Sequence, residues 1–357
     1  MESDHLKISV RNNNFFPGVQ VLRGVAAMFV VLSHILIMLN ERLDCSFNLH
    51  SISWPQFGVD IFFPISGFIM VMATSPQWGL AGLWRAFLTR RIIRIVPLYW
   101  IVTGLKIAII FIFPGLAIHS IVPLSYAVAS FFLIPPYGTI WTGATWPVVN
   151  VGWTLSFEMM FYIIFAVALA FSRRPIPWVA SVLCLIVFAG LFSTPDWWAG
   201  SFLLGSLNLE FVFGMIVGLA TLAGKRLPIP LAYAAVVVAG LLVWISMLDT
   251  FRDFPRFISW GIPGVLLLAA TLALEERWID RLSGWPTFIG DASYSIYLTH
   301  VFAVSFVGFV MQKAHMTSHV FLIIAVIISI IASIAGGAVV HIYIERVLLK
   351  KLHKMFV

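Results

Sequence analysis

The stretch Val19–Asn40, VQVLRGVAAMFVVLSHILIMLN, decides the fold. It is helix-compatible and apolar over about 20 residues, enough to cross the hydrocarbon of a bilayer. Only two ionisable side chains interrupt it, Arg23 near its start and His34 near its end. Eleven positions at ~100° each return to within about 20° of the same helix face, roughly 16 Å further along the axis. A charged or titratable group in lipid is costly, so an arginine and a histidine on one face point to a purpose. The rest of the chain is read as the walls of the cavity which that face lines.

Composition supports this reading. The 357 residues are 61% hydrophobic and 10% charged, under half the charge of a soluble domain, which carries about 25%. The apolar residues come in continuous runs rather than alternating ones, which predicts an all-α polytopic membrane protein and excludes a β-barrel. The net charge of +7 does not indicate nucleic acid, because the basic residues lie between the apolar runs, where topology signals belong. Cys45 falls in a polar loop and Cys184 in an apolar run, so no disulfide between them is expected. The polar lead before the first run does not read as a signal peptide.

About ten transmembrane helices are expected, at 19–39, 57–75, 92–113, 153–171, 177–193, 203–222, 230–248, 258–274, 288–311 and 319–344. Residues 1–18 form a lead, 19–346 the membrane domain and 347–357 a basic tail. With both termini cytoplasmic, the basic residues on the outer side or within a span are Arg42, Lys106, Arg252, Arg256 and Lys313; the other 17 of 22 face the cell interior. That bias predicts a multi-pass protein with both termini inside. Residues 121–150 hold too short an apolar piece before Pro135–Pro136 for a span, and predict an outer-face re-entrant or interfacial segment, with a short eleventh span as the alternative.

Polar residues inside the spans are the candidates for chemistry. His34, Asp60 and Glu158 fall at similar depth below the outer boundary by helical rise. His34 with either carboxylate would make a base and its orienter, or else a buried network tying three helices together. At the opposite end, Arg90, Arg91 and Arg94 sit in one turn of the third span and can converge, with Arg23, on an anion. The distance from that cluster to His34 is comparable to the reach of a phosphate-tethered arm such as pantetheine. In the ninth span Ser293, Tyr297 and His300 form one stripe at i, i+4 and i+7. Glu210, His341 and Glu345 are further candidates, with Glu345 beside Arg346 read as a local ion pair. Trp141, Trp146 and Trp153 suit an interfacial belt, or stacking on sugar rings. No metal-ligand spacing is present, and no metal is expected.

Together these motifs resemble the acyltransferase-3 family of polytopic bacterial membrane O-acyltransferases. The resemblance is carried by Leu22-Arg23-Gly24 with His34 at R-x10-H spacing and by Phe57-Gly58-Val59-Asp60-Ile61-Phe62-Phe63 with Ile65-Ser66-Gly67-Phe68. It continues through Arg90-Arg91 and Arg94 before Pro97, Trp153-Thr154-Leu155 with Glu158, Phe161 and Tyr162, and Ser293-Tyr294, Tyr297 and His300. The length, without an appended hydrolase-like domain, resembles the short members that modify exopolysaccharides. It implies an acyl-CoA donor, acetyl-CoA above all, and a polysaccharide or lipid-linked glycan as hydroxyl acceptor. On this reading His34, Asp60 and Glu158 are catalytic and Arg23, Arg90, Arg91 and Arg94 bind the donor phosphates. Ser66, Trp153, Tyr162, Ser293, Tyr297 and His300 then line the substrate path. Pro64 departs from the family pattern and is expected to kink the second span and shift Asp60.

Two other classes are weighed against it. In a proton-coupled secondary transporter, Asp60, Glu158, His34 and Glu210 would form a relay, but the halves show no internal repeat and the arginines have no role. In a non-catalytic scaffold the buried ionisable groups would be merely structural. A single tunnel joining the arginines to His34 is the geometry on which the acyltransferase reading depends.

Overall fold

The computed structural model describes residues 16–43, 54–113, 122–134, 147–194, 203–248, 254–282, 284–316 and 318–356. Residues 1–15 of the expected lead, Cys45, Trp141, Trp146 and Arg252 lie outside them, while Pro17 and Gly18, expected in the lead, belong to the first helix. The described residues are helical, with no strand among them. In chain order the helices are α1 (Pro17–Leu43), α2 (Phe57–Thr74), α3 (Leu83–Ile112), α4 (Leu124–Phe131), α5 (Gly152–Phe171) and α6 (Pro175–Gly190). They continue as α7 (Asn208–Leu222), α8 (Ile229–Ser246), α9 (Ile262–Leu282), α10 (Trp285–Asp291), α11 (Ser293–Lys313), α12 (His319–Val340) and α13 (Arg346–Phe356). Two five-residue π-helical segments, Phe257–Gly261 and His341–Glu345, lead into α9 and α13.

An apolar helix occupies each predicted run, and the protein is a polytopic α-helical membrane protein. Eight stretches among the described residues are long and apolar enough to cross a membrane. The fifth and sixth runs are the shorter helices α6 and α7; the 16 residues of α6 rise only about 24 Å, against a hydrocarbon core of about 30 Å. Helix α4 has eight residues, too few to cross. It is tied to α3, where Tyr99 donates its hydroxyl to the Ser130 carbonyl at 2.9 Å and Trp100 its indole N–H to that of Phe131 at 2.8 Å.

The opening helix is the hub. It packs on α2, α9, α10, α11 and α12, and Ala26, Ala27, Val31 and Ile35 are wholly buried along it. A larger core joins α2, α3, α5, α6 and α7. At its centre Phe211 stacks on Phe161 at 4.3 Å and on Phe63 at 4.7 Å, the offset packing that aromatic pairs favour.

Helices α2 and α7 touch through small residues. A Cβ on Gly214 would strike the Pro64 carbonyl and one on Gly67 the Phe211 carbonyl, the close approach that Gly permits between membrane helices. Backbone cannot yield as a side chain can. Gly214→Val is therefore expected to destabilise the protein by about 1–3 kcal/mol, read as a lower melting temperature in detergent; an unchanged melt would contradict this packing.

Pro64 does not interrupt α2, which runs through it. Having no N–H, it leaves the Asp60 carbonyl without its helical donor. The Gly264 backbone of α9 sits against that carbonyl so closely that a Cβ would collide with it. The effect of Pro64 is thus felt as a helix–helix contact at Asp60.

Candidate functional site

A cavity enclosing roughly 850 Å³ of empty space, its open mouth included, lies between α1, α2, α3, α5 and α11. Arg23, Arg91 and Arg94 line it together with Glu158, Ser66, Tyr162, Ser293, Tyr294 and Tyr297. Arg91 and Arg94 are i, i+3 on α3 and share its inward face, whereas Arg90 is exposed and turned away from the cavity. The Arg91 guanidinium lies over the rings of Tyr162 at 5.6 Å and Phe87 at 5.8 Å, and Arg94 over Tyr294 at 5.5 Å. These faces hold the cations by their quadrupoles while leaving N–H groups available. The Nε of Arg91 is buried with no hydrogen-bond partner. Three guanidinium groups thus meet one carboxylate in the lining, and the site suits an anion.

Glu158 belongs to this cavity. It accepts hydrogen bonds from Ser66 at 3.0 Å and from the Tyr162 hydroxyl. Its expected partnership with His34 is not what the structure has. Asp60 also turns away from His34: it is fully buried and held bidentately by Arg256, Nε to Oδ1 and Nη2 to Oδ2, both at 2.8 Å. Arg256 in turn lies over Trp260 at 4.7 Å and Trp153 at 5.9 Å, which puts Trp153 beneath this ion pair rather than in the cavity lining. Glu210, also fully buried, stands beside Asp60 and Arg256 against Gly261. Equal depth along three helices did not mean equal azimuth, and the carboxylates face different neighbours.

His34 meets His300 instead. The two rings stand edge to face at 4.9 Å. His34 Nδ1 is 2.9 Å from the Val30 carbonyl and His300 Nδ1 is 3.1 Å from that of Ile296. A carbonyl only accepts, so both rings carry hydrogen on Nδ1, and in the neutral ring Nε2 presents its lone pair. His300 Nε2 is buried without a partner. The orienter of His34 is therefore its own helix, one turn back.

Among the described residues the cavity that holds the arginines does not extend to His34. Neither His34 nor His300 lines the arginine cavity. Tyr297 stands between them, a cavity wall on one side and 6.3 Å from the His300 ring on the other. Its hydroxyl donates to the Val151 carbonyl at 2.9 Å and shares a 2.6 Å hydrogen bond with Thr154.

Glu345 is the other correction. It does not pair with Arg346, which is exposed. The π-helical turn His341–Glu345 brings Glu345 inward, where it is buried and bonds Arg94, Ser295 Oγ at 2.6 Å and His341 Nδ1 at 2.7 Å. It holds Arg94 at the cavity wall from behind. The sequence reading missed this role and that of Arg256. For Arg256 a signal existed, since it was one of the five basic residues that broke the topology rule.

A bundle of apolar helices around a cationic cavity defines a class, and comparison with known proteins narrows it. The acyltransferase domain family matches residues 16–338, and the chain belongs to that family. It is an acyltransferase, which sets aside the transporter and scaffold alternatives. The chain is 37% identical over 254 residues to the exopolysaccharide production protein ExoZ of Rhizobium meliloti (strain 1021), covering 70% of this chain and 77% of that one. It is 24% identical over 325 residues to a Bacillus subtilis (strain 168) protein whose name, peptidoglycan O-acetyltransferase YrhL, is provisional; 81% of this chain and 49% of that one are covered. The similarly provisional O-acetyltransferase SACOL0978 of Staphylococcus aureus (strain COL) is 22% identical over 321 residues, with 82% of this chain and 51% of that one covered. The chain thus spans about half the length of these last two relatives. No solved structure matches it. Among the described residues no group of three His, Cys, Asp or Glu side chains could hold a metal ion.

Proposed function

We propose that the protein moves an acyl group, acetyl above all, from cytoplasmic acyl-CoA to a hydroxyl of an extracytoplasmic polysaccharide or lipid-linked glycan, in the inner membrane of a bacterium with both termini inside. The observation that carries this reading is the cavity lined by Arg23, Arg91 and Arg94 against Glu158, with Glu345 holding Arg94 from behind and Arg91 Nε buried without a partner. Buried donors without acceptors cost about 1–3 kcal/mol, and the phosphates of CoA supply acceptors. The relatives' names, exopolysaccharide production and peptidoglycan O-acetylation, support a polysaccharide acceptor.

On this reading Arg23, Arg91 and Arg94 grip the phosphates, and Arg90, turned away from the cavity, adds only long-range charge. The pantetheine arm then runs toward Tyr297, whose ring must swing aside for the thioester to reach His34. His34 Nε2 takes the acceptor's hydroxyl proton as the oxygen attacks the thioester carbonyl; the C–S bond breaks and the thiolate leaves to be protonated. In the alternative order Nε2 itself attacks, carries the acyl group and passes it to the hydroxyl. Glu158, Ser66, Tyr162 and Ser293 line the donor path; Asp60 acts through Arg256, as a support for Trp153 and the outer rim.

Arg91→Ala is expected to weaken binding of CoA about tenfold, measured by calorimetry on the purified protein, while Arg90→Ala has a smaller effect. Equal losses at the two positions would count against the cavity as the donor site. The function as a whole is tested by releasing acetate from the surface polysaccharide with mild base, in cells with and without the gene. Equal acetate in both would overturn it.

A further inference from the structure

Helix α13, RVLLKKLHKMF over Arg346–Phe356, has no part in the cavity or the histidine pair. It continues α12 and the π-helical turn as one helical run, His319–Phe356. The 22 residues of α12 rise about 33 Å, enough for a hydrocarbon core of about 30 Å, so the turn and α13 come at its edge and beyond. Aromatic side chains mark the same level. Tyr343 in the turn and Trp285 on α10 are exposed, and Trp285 stacks at 5.8 Å on Phe288, whose ring is 5.9 Å from that of His341. Exposed Trp and Tyr are enriched where hydrocarbon gives way to headgroups.

The two faces of α13 differ. Leu348, Leu352 and Met355 at i, i+4 and i+7 form an apolar face, with Leu349 and Phe356 beside them. Arg346, Lys350 and Lys354 at i, i+4 and i+8 form the other, with Lys351 at its edge. The helix packs on α3, and Leu348, Leu349 and Leu352 are half-buried, whereas Met355 and Phe356 remain 70% and 63% exposed. All four cations are exposed, α13 contains no carboxylate, and none of the ion pairs among the described residues engages them. A solvated helix would carry both signs; cations of one sign beside an apolar face suit an anionic membrane surface.

We propose that α13 docks on anionic glycerophospholipid at its own end of the bundle. Met355 and Phe356 enter the boundary between headgroups and acyl chains, and Lys350, Lys351 and Lys354 lie within a Debye length of the lipid charge. Zwitterionic lipid brings phosphate but no net charge. A nucleic acid would match the lysines and leave the apolar end in water, so lipid is the better occupant. Nothing in this seat depends on the acyltransferase reading.

The test uses the full-length protein with Cys45→Ser and Cys184→Ser, a nitroxide on Met355→Cys or on Lys354→Cys, and nanodiscs of phosphatidylcholine alone or mixed with phosphatidylglycerol. In the mixed discs the label at 355 is expected to be reached by lipid-dissolved oxygen and protected from a water-soluble nickel chelate, while the label at 354 stays open to the chelate. In phosphatidylcholine alone, the protection at 355 should fall. Each of Lys350→Gln and Lys351→Gln should lower the docked-to-free ratio about fivefold in the mixed discs. Raising the salt to about 1 M should do the same without any lysine variant. Matching melting temperatures establish that the variants fold. A label at 355 equally open in both lipids, equally protected in both, or indifferent to lysine removal and to salt would overturn the proposal. So would protection by a short single-stranded RNA where phosphatidylglycerol gives none, which would assign the face to nucleic acid. Acyl transfer enters none of these readouts, so its failure would leave the result standing.

Discussion

Replacement of His34 by alanine is expected to lower acyl transfer by about 10²–10⁴-fold, the usual contribution of a positioned acid–base group. The Val30 carbonyl, 2.9 Å from Nδ1, fixes the hydrogen there and leaves Nε2 as the basic or nucleophilic atom. His300, which lies 4.9 Å away and is fully buried, has the same contact with the carbonyl one turn back, and His353 has it on α13, away from this pair. His300→Ala should therefore cost less, by removing the ring that packs His34 in place. The assay is release of CoA from acetyl-CoA by purified protein with an acceptor glycan. CoA binding should survive His34→Ala, because the cavity that holds the arginines does not include it. A variant that turns over at the wild-type rate would remove His34 from the chemistry.

The second large effect is on stability. Arg256→Met is expected to destabilise the protein by about 3–5 kcal/mol, the cost of stripping one partner from a buried ion pair. Asp60 is fully buried, its two oxygens are both bonded to Arg256, and Glu210 stands beside it. Removing the guanidinium leaves two carboxylates in an apolar bundle. Combining Arg256→Met with Asp60→Asn should recover part of the loss, since the uncompensated charge goes with it. Melting curves of the two single variants and the double variant measure the coupling. Additive losses would show that the pair contributes nothing beyond its separate packing.

The fold was legible because a membrane span announces itself in one dimension. Each predicted run coincides with an apolar helix, and the short piece before Pro135 contains a helix of only eight residues. The arginine site was legible too, since Arg91 and Arg94 lie at helical spacing and Arg23 interrupts an apolar run; the structure brings all three to one cavity. The expected company of His34 is not what the structure has: its ring packs on His300. His34, Asp60 and Glu158 share a depth, and depth is all that rise per residue supplies. Which way each side chain points depends on how the helices are rotated against one another. Glu345 was misread for a related reason, because a π-helical turn alters the register of its helix.

Arg256, one of the five basic residues left outside the expected charge bias, stands at a buried ion pair with Asp60.

The sequence by itself determined a helical membrane protein, the family whose motifs it carries, and the residue types able to hold phosphate and move a proton. Hydrophobic length, helical spacing and charge bias are properties of a single chain, readable without partners. Only the tertiary structure decided that Asp60 pairs with Arg256, that Glu158 sits among arginines, and that His34 packs on His300 outside the arginine cavity. Those facts depend on the azimuth of each helix, which is set by packing between helices: close contact at Gly214 and Gly264 and stacking at Phe211.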